Sequence, residues 1–199
     1  MAYVHNHDAW FEFLLNVSVY VDSLISNAGN HSRRVADLVR STARRLRCPE
    51  SEIRIFYLAS LLHDVGKIGV PEQVLSKAGP LTRREWREMK LHPVVGSNIV
   101  KSMNGLSDIA PIVYYHQEKY DGTGYPNGIR GDRIPLGARI LAVADAYDAM
   151  TTDRYYRKAR SFTDATFELM RMAGRDFDPF VVDAFLDVIY GEGTYEEIQ

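Results

Sequence analysis

Apolar residues recur at intervals of three or four positions along most of this chain, and sustained alternation of apolar and polar residues is almost absent. The first pattern is typical of amphipathic helices, whereas the second would indicate half-buried strands. Between His31 and Arg47, for example, one helical face would carry Val35, Leu38, Val39, Thr42 and Leu46. We therefore predict an all-α fold, a single compact domain of about seven to nine helices.

The composition is that of an ordinary globular protein. Hydrophobic residues make up 46% of the 199 and charged residues 25%, values that exclude a disordered chain and a collagen-like fibre. Twenty-four Lys and Arg against 26 Asp and Glu give a net charge of −2, too balanced for a protein that holds long nucleic acid mainly through backbone charge. The single cysteine, Cys48, cannot form an internal disulfide, so we expect a cytoplasmic location.

The most apolar stretch, Trp10 to Ile25, is predicted to be an amphipathic helix and not a signal peptide or a membrane span. Glu12, Asn16 and Asp22 interrupt it, no positive cluster precedes it, and it is shorter than the roughly 20 apolar residues that a spanning helix needs. Its aromatic residues either cover the core or form the surface of a homodimer, and periodicity does not separate these interpretations.

Several helix starts carry their own signals. Thr82-Arg83-Arg84-Glu85 has the spacing of a capping box, and Pro93 fits the first turn of a helix that begins close to His92. Asp178 precedes Pro179 in the arrangement of a helix cap, and that last helix is predicted to end at 190. We divide the chain into an N-terminal helix and turn (1–30), a main domain (31–190) and a C-terminal tail (191–199).

Residues 117–135 are predicted to form one long loop. They include Gly122, Gly124, Pro126, Gly131 and Pro135, a density of turn-forming residues that no regular element tolerates. Loops of this length inside a compact domain are uncommon and usually functional, although a surface excursion without a role is the simple alternative.

Four of the six histidines lie at the ends of predicted helices, and two aspartates accompany them. A single buried histidine is more often a hydrogen-bonded core residue than a metal ligand. Asp64, however, directly follows His63, and Asp145 ends an apolar run at 140–144, where an unpaired carboxylate would be costly to bury. A bound cation would remove that cost, so we predict that the whole set binds metal. Its members are His31, His63, Asp64, His92, His116 and Asp145.

The donor types decide which metals fit this set. Imidazole and carboxylate together suit Mn, Fe, Ni or Zn, whereas calcium and magnesium sites are mostly oxygen, and without a thiolate a structural zinc finger is excluded. Two roughly octahedral ions need about twelve ligand positions, so positions remain open for water and substrate even if Asp64 bridges. Two divalent ions with two carboxylates keep a charge of about +2, which favours a phosphate ester. The predicted reaction is attack on phosphorus by a hydroxide that bridges the two metals.

Other polar residues near the predicted centre are consistent with an anionic substrate. Lys67 lies about one helical turn from the bridging acid, where it could neutralise a phosphoryl oxygen, or it is a surface lysine. Arg154 and Arg157 would share one side of a helical turn, or they are solvated surface arginines. Asp148 could orient a metal ligand or a cationic group, or pair with a neighbouring arginine. Tyr125 could stack on a base, or it packs within the protein.

Two strings of residues stand out, His-Asp-Val-Gly-Lys at 63–67 and Tyr-Asp-Gly-Thr-Gly-Tyr-Pro at 120–126. Together they resemble the HD-GYP domains, a bacterial subset of the HD phosphohydrolase superfamily. The resemblance includes further segments at 31–35, 91–93, 138–145 and 177–179, so it covers about residues 31 to 190.

The resemblance implies an all-α catalytic domain that binds two divalent transition metal ions, often iron or manganese, and hydrolyses cyclic di-GMP to the linear dinucleotide pGpG or to GMP. It implies metal ligation by the same six residues, with Asp64 and Lys67 as the catalytic residues and Lys67 on the scissile phosphate. It also implies that Tyr125 contacts a guanine and that Arg154 and Arg157 lie near the second half of the dinucleotide.

Three departures from the family pattern bear on these expectations. Gln117 stands where many members have a second adjacent histidine, which predicts a weaker second metal site. The turn before His31 lacks the acidic residue of some three-metal members, so we expect two metals. Tyr155 stands where the family often has proline, which bears on substrate preference.

The main hypothesis is therefore a cyclic di-GMP phosphodiesterase. The alternatives are a phosphodiesterase for cyclic GMP-AMP and, because of Gln117, a non-catalytic domain that senses a cyclic dinucleotide or docks on a diguanylate cyclase domain through the 117–135 loop.

Overall fold

The computed structural model describes residues 4–25, 30–153 and 158–196. Across these residues the regular secondary structure is helical and no strand is present, which confirms the predicted all-α class. The predicted substrate contacts Arg154 and Arg157, together with Tyr155, lie outside the described residues.

The helices follow one another with mostly short connections. In chain order they are α1 (Val4–Ile25), α2 (His31–Arg45), α3 (Glu50–Leu62), α4 (Glu72–Leu75), α5 (Arg83–Met89), α6 (His92–Ser102), α7 (Ala110–Tyr115), α8 (Leu136–Thr151), α9 (Phe162–Met172) and α10 (Pro179–Glu196). Short 3-10 helices lie at Val65–Gly69, Ser107–Ile109 and Gly131–Arg133.

The core is built around α2, which packs against α3, α8 and α10. Its predicted stripe is buried at Val35, Val39 and Thr42, whereas Leu38 and Leu46 are only partly buried. Opposing side chains complete a single apolar interior, and the largest fully buried ones include Leu61, Leu62, Ile140, Leu141 and Phe185. This packing fixes the positions of the helix ends that carry the histidines.

Helix α1 covers one side of this core. Leu14 and Val21 are buried, and the buried carboxylate of Asp22 accepts hydrogen bonds from the backbone N–H of Ser32 (3.0 Å) and from its hydroxyl (2.7 Å). Trp10 and several neighbouring apolar side chains remain exposed. No helix in the described part of the chain is long and apolar enough to cross a membrane.

The predicted helix starts are confirmed. Thr82 and Glu85 form the capping box, and α6 begins at His92 with a proline in its first turn. The Asp178 carboxylate accepts a hydrogen bond from the backbone N–H of Phe180 at 2.9 Å. Helix α10 runs to Glu196 instead of ending at 190, so it continues into the segment predicted as a tail. The division of the chain into three parts stays a prediction.

Residues 117–135 form the predicted long loop, interrupted by one 3-10 turn. Its far end is tied to α10, because Arg139 on α8 donates hydrogen bonds to both Asp132 (2.8 Å) and Asp178 (2.6 Å). The loop is thus held against the helical core at both ends.

Candidate metal centre

Four helix ends meet at one point and bring four histidines together. His31 is the first residue of α2 and His92 the first of α6, while His63 and His116 directly follow α3 and α7. Neighbouring ring centroids are 5.1 to 5.5 Å apart. Except for His31, which is partly buried, the rings are at most 3% exposed. The predicted convergence of these residues is therefore present in the fold.

The ligand atoms form two groups, each compact enough to hold a metal ion. One group is His31, His63 and Asp145, and the other is Asp64, His92 and His116. Within each group, the nitrogen and oxygen atoms that could bind a metal lie within 4.8 Å of one another. All six residues that the sequence singled out belong to these two groups.

Asp64 lies between the groups. Its Oδ2 is 3.4 Å from Nε2 of His63, in the first group, and its Oδ1 is 3.7 Å from Nε2 of His92, in the second. Among the described residues, neither Oδ1 of Asp64 nor Nε2 of His63 has a hydrogen-bond partner, although both atoms are buried. Buried polar atoms without partners are costly, and a cation between them would remove that cost.

The orientation of the rings leaves their Nε2 atoms available for coordination. Nδ1 of His63, His92 and His116 lies 2.7 to 2.8 Å from the backbone carbonyl three residues earlier. A carbonyl can only accept, so Nδ1 carries a proton, and in the neutral ring Nε2 presents a lone pair. The Nε2 atoms of His92 and His116 then face each other at 3.2 Å as two acceptors. This arrangement suits a cation and is unfavourable without one.

The electrostatic environment keeps the second group ready to coordinate. Burial lowers the pKa of His92 to about 4 and that of His116 to about 3, so both rings are neutral at pH 7. Burial opposes ionisation of Asp64, but the positive charges of His63 and Lys67 outweigh it and hold its pKa well below the usual value. Neutral imidazoles and an ionised carboxylate are the protonation states that bind a metal.

The first group differs in the charge of its histidines. Burial lowers the pKa of His31, but hydrogen bonds with Asp145 and Asp148 outweigh that effect and raise it to about 10. Burial lowers the pKa of His63, but the charge of Asp64, its hydrogen bond and the charge of Asp145 together outweigh burial, so the net shift is upward. Burial raises the pKa of Asp145, whereas its hydrogen bond with His31 and the nearby His63 lower it, and the net shift is downward. A metal ion would displace the extra protons from this group.

Lys67 is placed at the centre, as the sequence predicts. Its Nζ lies 2.6 Å from Oδ2 of Asp64, and its side chain is 17% exposed. The ammonium therefore faces the carboxylate between the two groups, with part of its surface open to an incoming anion.

Tyr125 reaches the rim of the centre from the long loop. Its hydroxyl donates a hydrogen bond to Oε1 of Gln117 at 3.1 Å, and its ring centroid lies 6.3 Å from that of His92. The Nζ of Lys90 lies 5.2 Å from the same ring. The side-chain amide of Gln117 thus holds the tyrosine hydroxyl.

Two further residues that shape the site were not singled out from the sequence. Glu118 is 4% exposed, and its Oε1 accepts hydrogen bonds from the backbone N–H groups of Asn127 (2.7 Å) and Gly128 (3.0 Å), which folds the loop around Tyr125. Arg34 pairs with Asp148, whose Oδ2 lies 2.7 Å from Nδ1 of His31. The only sequence signal for Arg34 is its position one helical turn after His31.

Comparisons with known proteins agree with this geometry. The HD domain family matches residues 20–181. The chain is 43% identical over 155 residues to the cyclic di-GMP phosphodiesterase response regulator RpfG of Xanthomonas campestris. This alignment covers 77% of this chain and 41% of that protein. It is 37% identical over 178 residues to the 3'3'-cGAMP-specific phosphodiesterase 2 of Vibrio cholerae, an alignment that covers 88% of this chain and 34% of that protein.

A solved structure shows the same fold. The cyclic GMP-AMP specific phosphodiesterase V-cGAP3 of Vibrio cholerae aligns with a TM-score of 0.70 at 17% identity, over 90% of this chain and 48% of that one. This chain thus spans less than half the length of each of these relatives. The matches confirm the resemblance that the sequence motifs indicate. Because the family match extends over most of its length, the chain belongs to the HD domain family.

Proposed function

We propose that this chain is a metal-dependent phosphodiesterase that hydrolyses cyclic di-GMP to the linear dinucleotide pGpG and on to GMP. The observation that carries this proposal is the position of Asp64, which directs one oxygen toward each of two adjacent His and Asp groups. The proposed ligands are His31, His63 and Asp145 for one ion and His92 and His116 for the other, with Asp64 shared. Iron or manganese is proposed first, and nickel or zinc are the alternatives.

Two divalent ions held here would polarise phosphoryl oxygens and generate a water-derived nucleophile at neutral pH. Because Lys67 already faces this point, we assign it to the phosphoryl oxygen that gains negative charge during attack. Tyr125, whose ring lies beside His92, would contact one base of the dinucleotide. Arg154 and Arg157 are assigned to the second half of the dinucleotide on their sequence motif alone.

The proposal is tested by metal content and product formation in one preparation. Protein purified without oxygen is measured for metal per chain and then incubated with cyclic di-GMP, with the products separated by chromatography. We expect two metals per chain and linear product. Asp64→Asn removes the shared charge while keeping the shape of the side chain, so it should lose both metal and hydrolysis.

Arg44→Gln is a suitable control, because Arg44, near the end of α2, forms an exposed ion pair with Glu50, the first residue of α3. It should retain both metal and activity. An Asp64→Asn protein that still held two metals would contradict the bridging assignment. Tight binding of cyclic di-GMP without product after prolonged incubation with Mn²⁺ or Fe²⁺ would instead identify a sensor, or a domain that docks on a diguanylate cyclase.

Cyclic GMP-AMP is the second candidate substrate, because the chain resembles relatives of both specificities at 43% and 37% identity. Turnover of the two dinucleotides is compared side by side with the same enzyme. Hydrolysis of cyclic GMP-AMP about tenfold faster, a difference of about 1.4 kcal/mol in transition-state binding, would favour the second candidate. The cytoplasmic location and the homodimer stay predictions.

A further inference from the structure

His31 is held differently from the other three histidines of the centre. His63, His92 and His116 each donate from Nδ1 to the carbonyl three residues earlier in the chain. His31 is the first residue of α2. Its Nδ1 instead lies 2.7 Å from a carboxylate oxygen of Asp148, on α8.

Asp148 is in turn fixed by Arg34. Nε of Arg34 lies 2.6 Å from Oδ1 of Asp148, and Nη2 lies 3.0 Å from Oδ2. Two parallel hydrogen bonds from a guanidinium set the plane of a carboxylate as well as its position, which a single point charge does not. The carboxylate is 4% exposed, so it is held within the protein and does not rotate freely in solvent.

These contacts join two helices at the point where both supply ligands. Arg34 lies one turn after His31 on α2, and Asp148 lies one turn after Asp145 on α8. Nε2 of His31 faces Oδ1 of Asp145 at 3.4 Å, so two of the three candidate ligands of the first group lie directly beside the Arg34–Asp148 pair. A rotation of the Asp148 carboxylate would turn the His31 ring and move Nε2 away from its group.

We propose that Arg34 is a positioning residue for one of the two metal positions, acting through Asp148 on the His31 ring. The inference rests on the proposed function only in that it takes His31 as a metal ligand. Partners that orient a ligating histidine typically affect metal affinity by about 10- to 100-fold, although they never touch the metal. Arg34 should therefore affect the first position and leave the position formed by Asp64, His92 and His116 unchanged.

The test measures Mn²⁺ affinity at both positions of the whole chain by competition with a chelator. Arg34→Gln should weaken one position by about 10- to 100-fold. It should change the other by less than about threefold. Arg34→Lys keeps the charge but not the planar pair of donors, so it should restore the affinity only in part. Arg44→Gln, on the same helix but in an exposed ion pair, should change neither position.

A double-mutant comparison separates positioning from a general loss of stability. If Arg34 acts through Asp148, Arg34→Gln combined with Asp148→Asn should weaken Mn²⁺ binding no more than Asp148→Asn alone. Additive losses would overturn the inference. So would equal weakening of both positions together with a lower melting temperature of the metal-free protein, since that pattern indicates a purely structural ion pair.

The fate of this inference is separable from that of the proposed function. A wild-type chain that binds two Mn²⁺ ions, fails to hydrolyse cyclic dinucleotides and loses one ion on Arg34→Gln would support the inference and overturn the function. An active wild-type enzyme with unchanged Mn²⁺ affinities in Arg34→Gln would support the proposed function and overturn the inference. A wild-type chain that binds no Mn²⁺ would overturn both.

Discussion

The ammonium of Lys67 has no lone pair and therefore cannot bind a metal, but it lies 2.6 Å from the carboxylate of Asp64. We expect Lys67→Ala to lower kcat about 10²- to 10³-fold, as the loss of one charge stabilising the transition state does elsewhere. Metal content should be unchanged, because the substitution removes a competitor for Asp64 and no ligand. Steady-state kinetics and elemental analysis of the same preparation check this.

Lys77→Ala provides the matched control for Lys67. Lys77 also forms an ion pair at 2.6 Å, but with Glu85 of the capping box and not with a candidate metal ligand. Its removal should leave kcat unchanged. Loss of metal from Lys67→Ala would contradict the assigned role and make the lysine a structural support for Asp64.

Tyr125 has two proposed roles, to hold the loop through its hydrogen bond with Gln117 and to contact a base, and two substitutions distinguish them. Tyr125→Phe removes the hydrogen bond to Gln117 but keeps the ring, whereas Tyr125→Ala removes both. If the ring contacts a base, Tyr125→Ala should weaken the binding of cyclic di-GMP by about 1–3 kcal/mol, which is measured as a higher KM. Tyr125→Phe should weaken binding by much less. Equal effects of the two substitutions would mean that the tyrosine only holds the loop.

At the level of the elements, the centre depends on how closely the 3-10 turn Val65–Gly69 approaches α6. A Cβ added to Gly66 would lie 1.9 Å from the carbonyl oxygen of His92 and 2.4 Å from the backbone nitrogen of Gly96. Backbone must therefore move to accommodate any side chain there. We expect Gly66→Ala to destabilise the fold by about 1–3 kcal/mol and to move His92 relative to Asp64, which weakens the second metal position.

Urea unfolding and Mn²⁺ competition check the Gly66 prediction. Gly79→Ala is the control, because a Cβ at Gly79 would meet nothing within 4 Å. A Gly66→Ala protein as stable as Gly79→Ala, with both metal positions intact, would show that α6 can shift without cost to the centre.

The individual elements also differ in how far the sequence could predict them. Local signals were sufficient for the capping box before α5 and for the start of α6, because both depend on residues within one or two turns. The six ligand candidates were also found, since each one ends or begins an apolar periodic segment. The structure brings all six into the two groups.

What the sequence could not show are the contacts between distant segments. Arg34 and Asp148 are 114 residues apart, so nothing local indicates that an arginine on α2 fixes a carboxylate on α8. Glu118 could not be recognised as the support of the loop, because its partners are backbone N–H groups whose direction depends on the folded turn. The extension of α10 to Glu196 was missed because Gly191 and Gly193 disfavour a helix by propensity.

Across the whole molecule, the ligands come from helices that are distant in sequence, so the centre exists only when the fold is complete. Its six residues extend from His31 to Asp145; five lie at the ends of α2, α3, α6 and α7, and Asp145 lies within α8. Metal binding is therefore coupled to folding of the entire domain. Without metal, the buried histidines leave a pH dependence whose sign follows from their surroundings.

His92 and His116 determine that dependence just below neutrality. Their pKa values of about 4 and about 3 lie below the ordinary value of 6.5, so from pH 6.5 down to about 4 the unfolded chain binds protons that the folded protein excludes. Stability should fall as the pH falls, by up to about 1.4 kcal/mol per pH unit for each ring. His31 and His63, whose pKa values are raised, oppose this fall near pH 6.5, where the unfolded chain still lacks part of their protons. Below about pH 5.5 both residues are charged in both states and add no slope.

Urea unfolding of the metal-free protein at pH 6.5, 5.5 and 4.5 measures this slope. The carboxylates of the centre, Asp64, Asp145 and Asp148, have lowered pKa values and stay ionised in the folded protein over this range, so their contribution is lost only near and below their ordinary pKa. The partly exposed Glu85 and Glu168, whose pKa values are also lowered from 4.5, begin to lose theirs at the acidic end of the range. His116→Asn should roughly halve the slope, because one of the two excluded protons no longer exists. A profile that is flat between pH 6.5 and 4.5 in the wild-type protein would mean that these two rings accept protons in the folded state. The site would then open to water before the domain unfolds, and the two facing Nε2 atoms would not be held in the arrangement from which the metal centre is inferred.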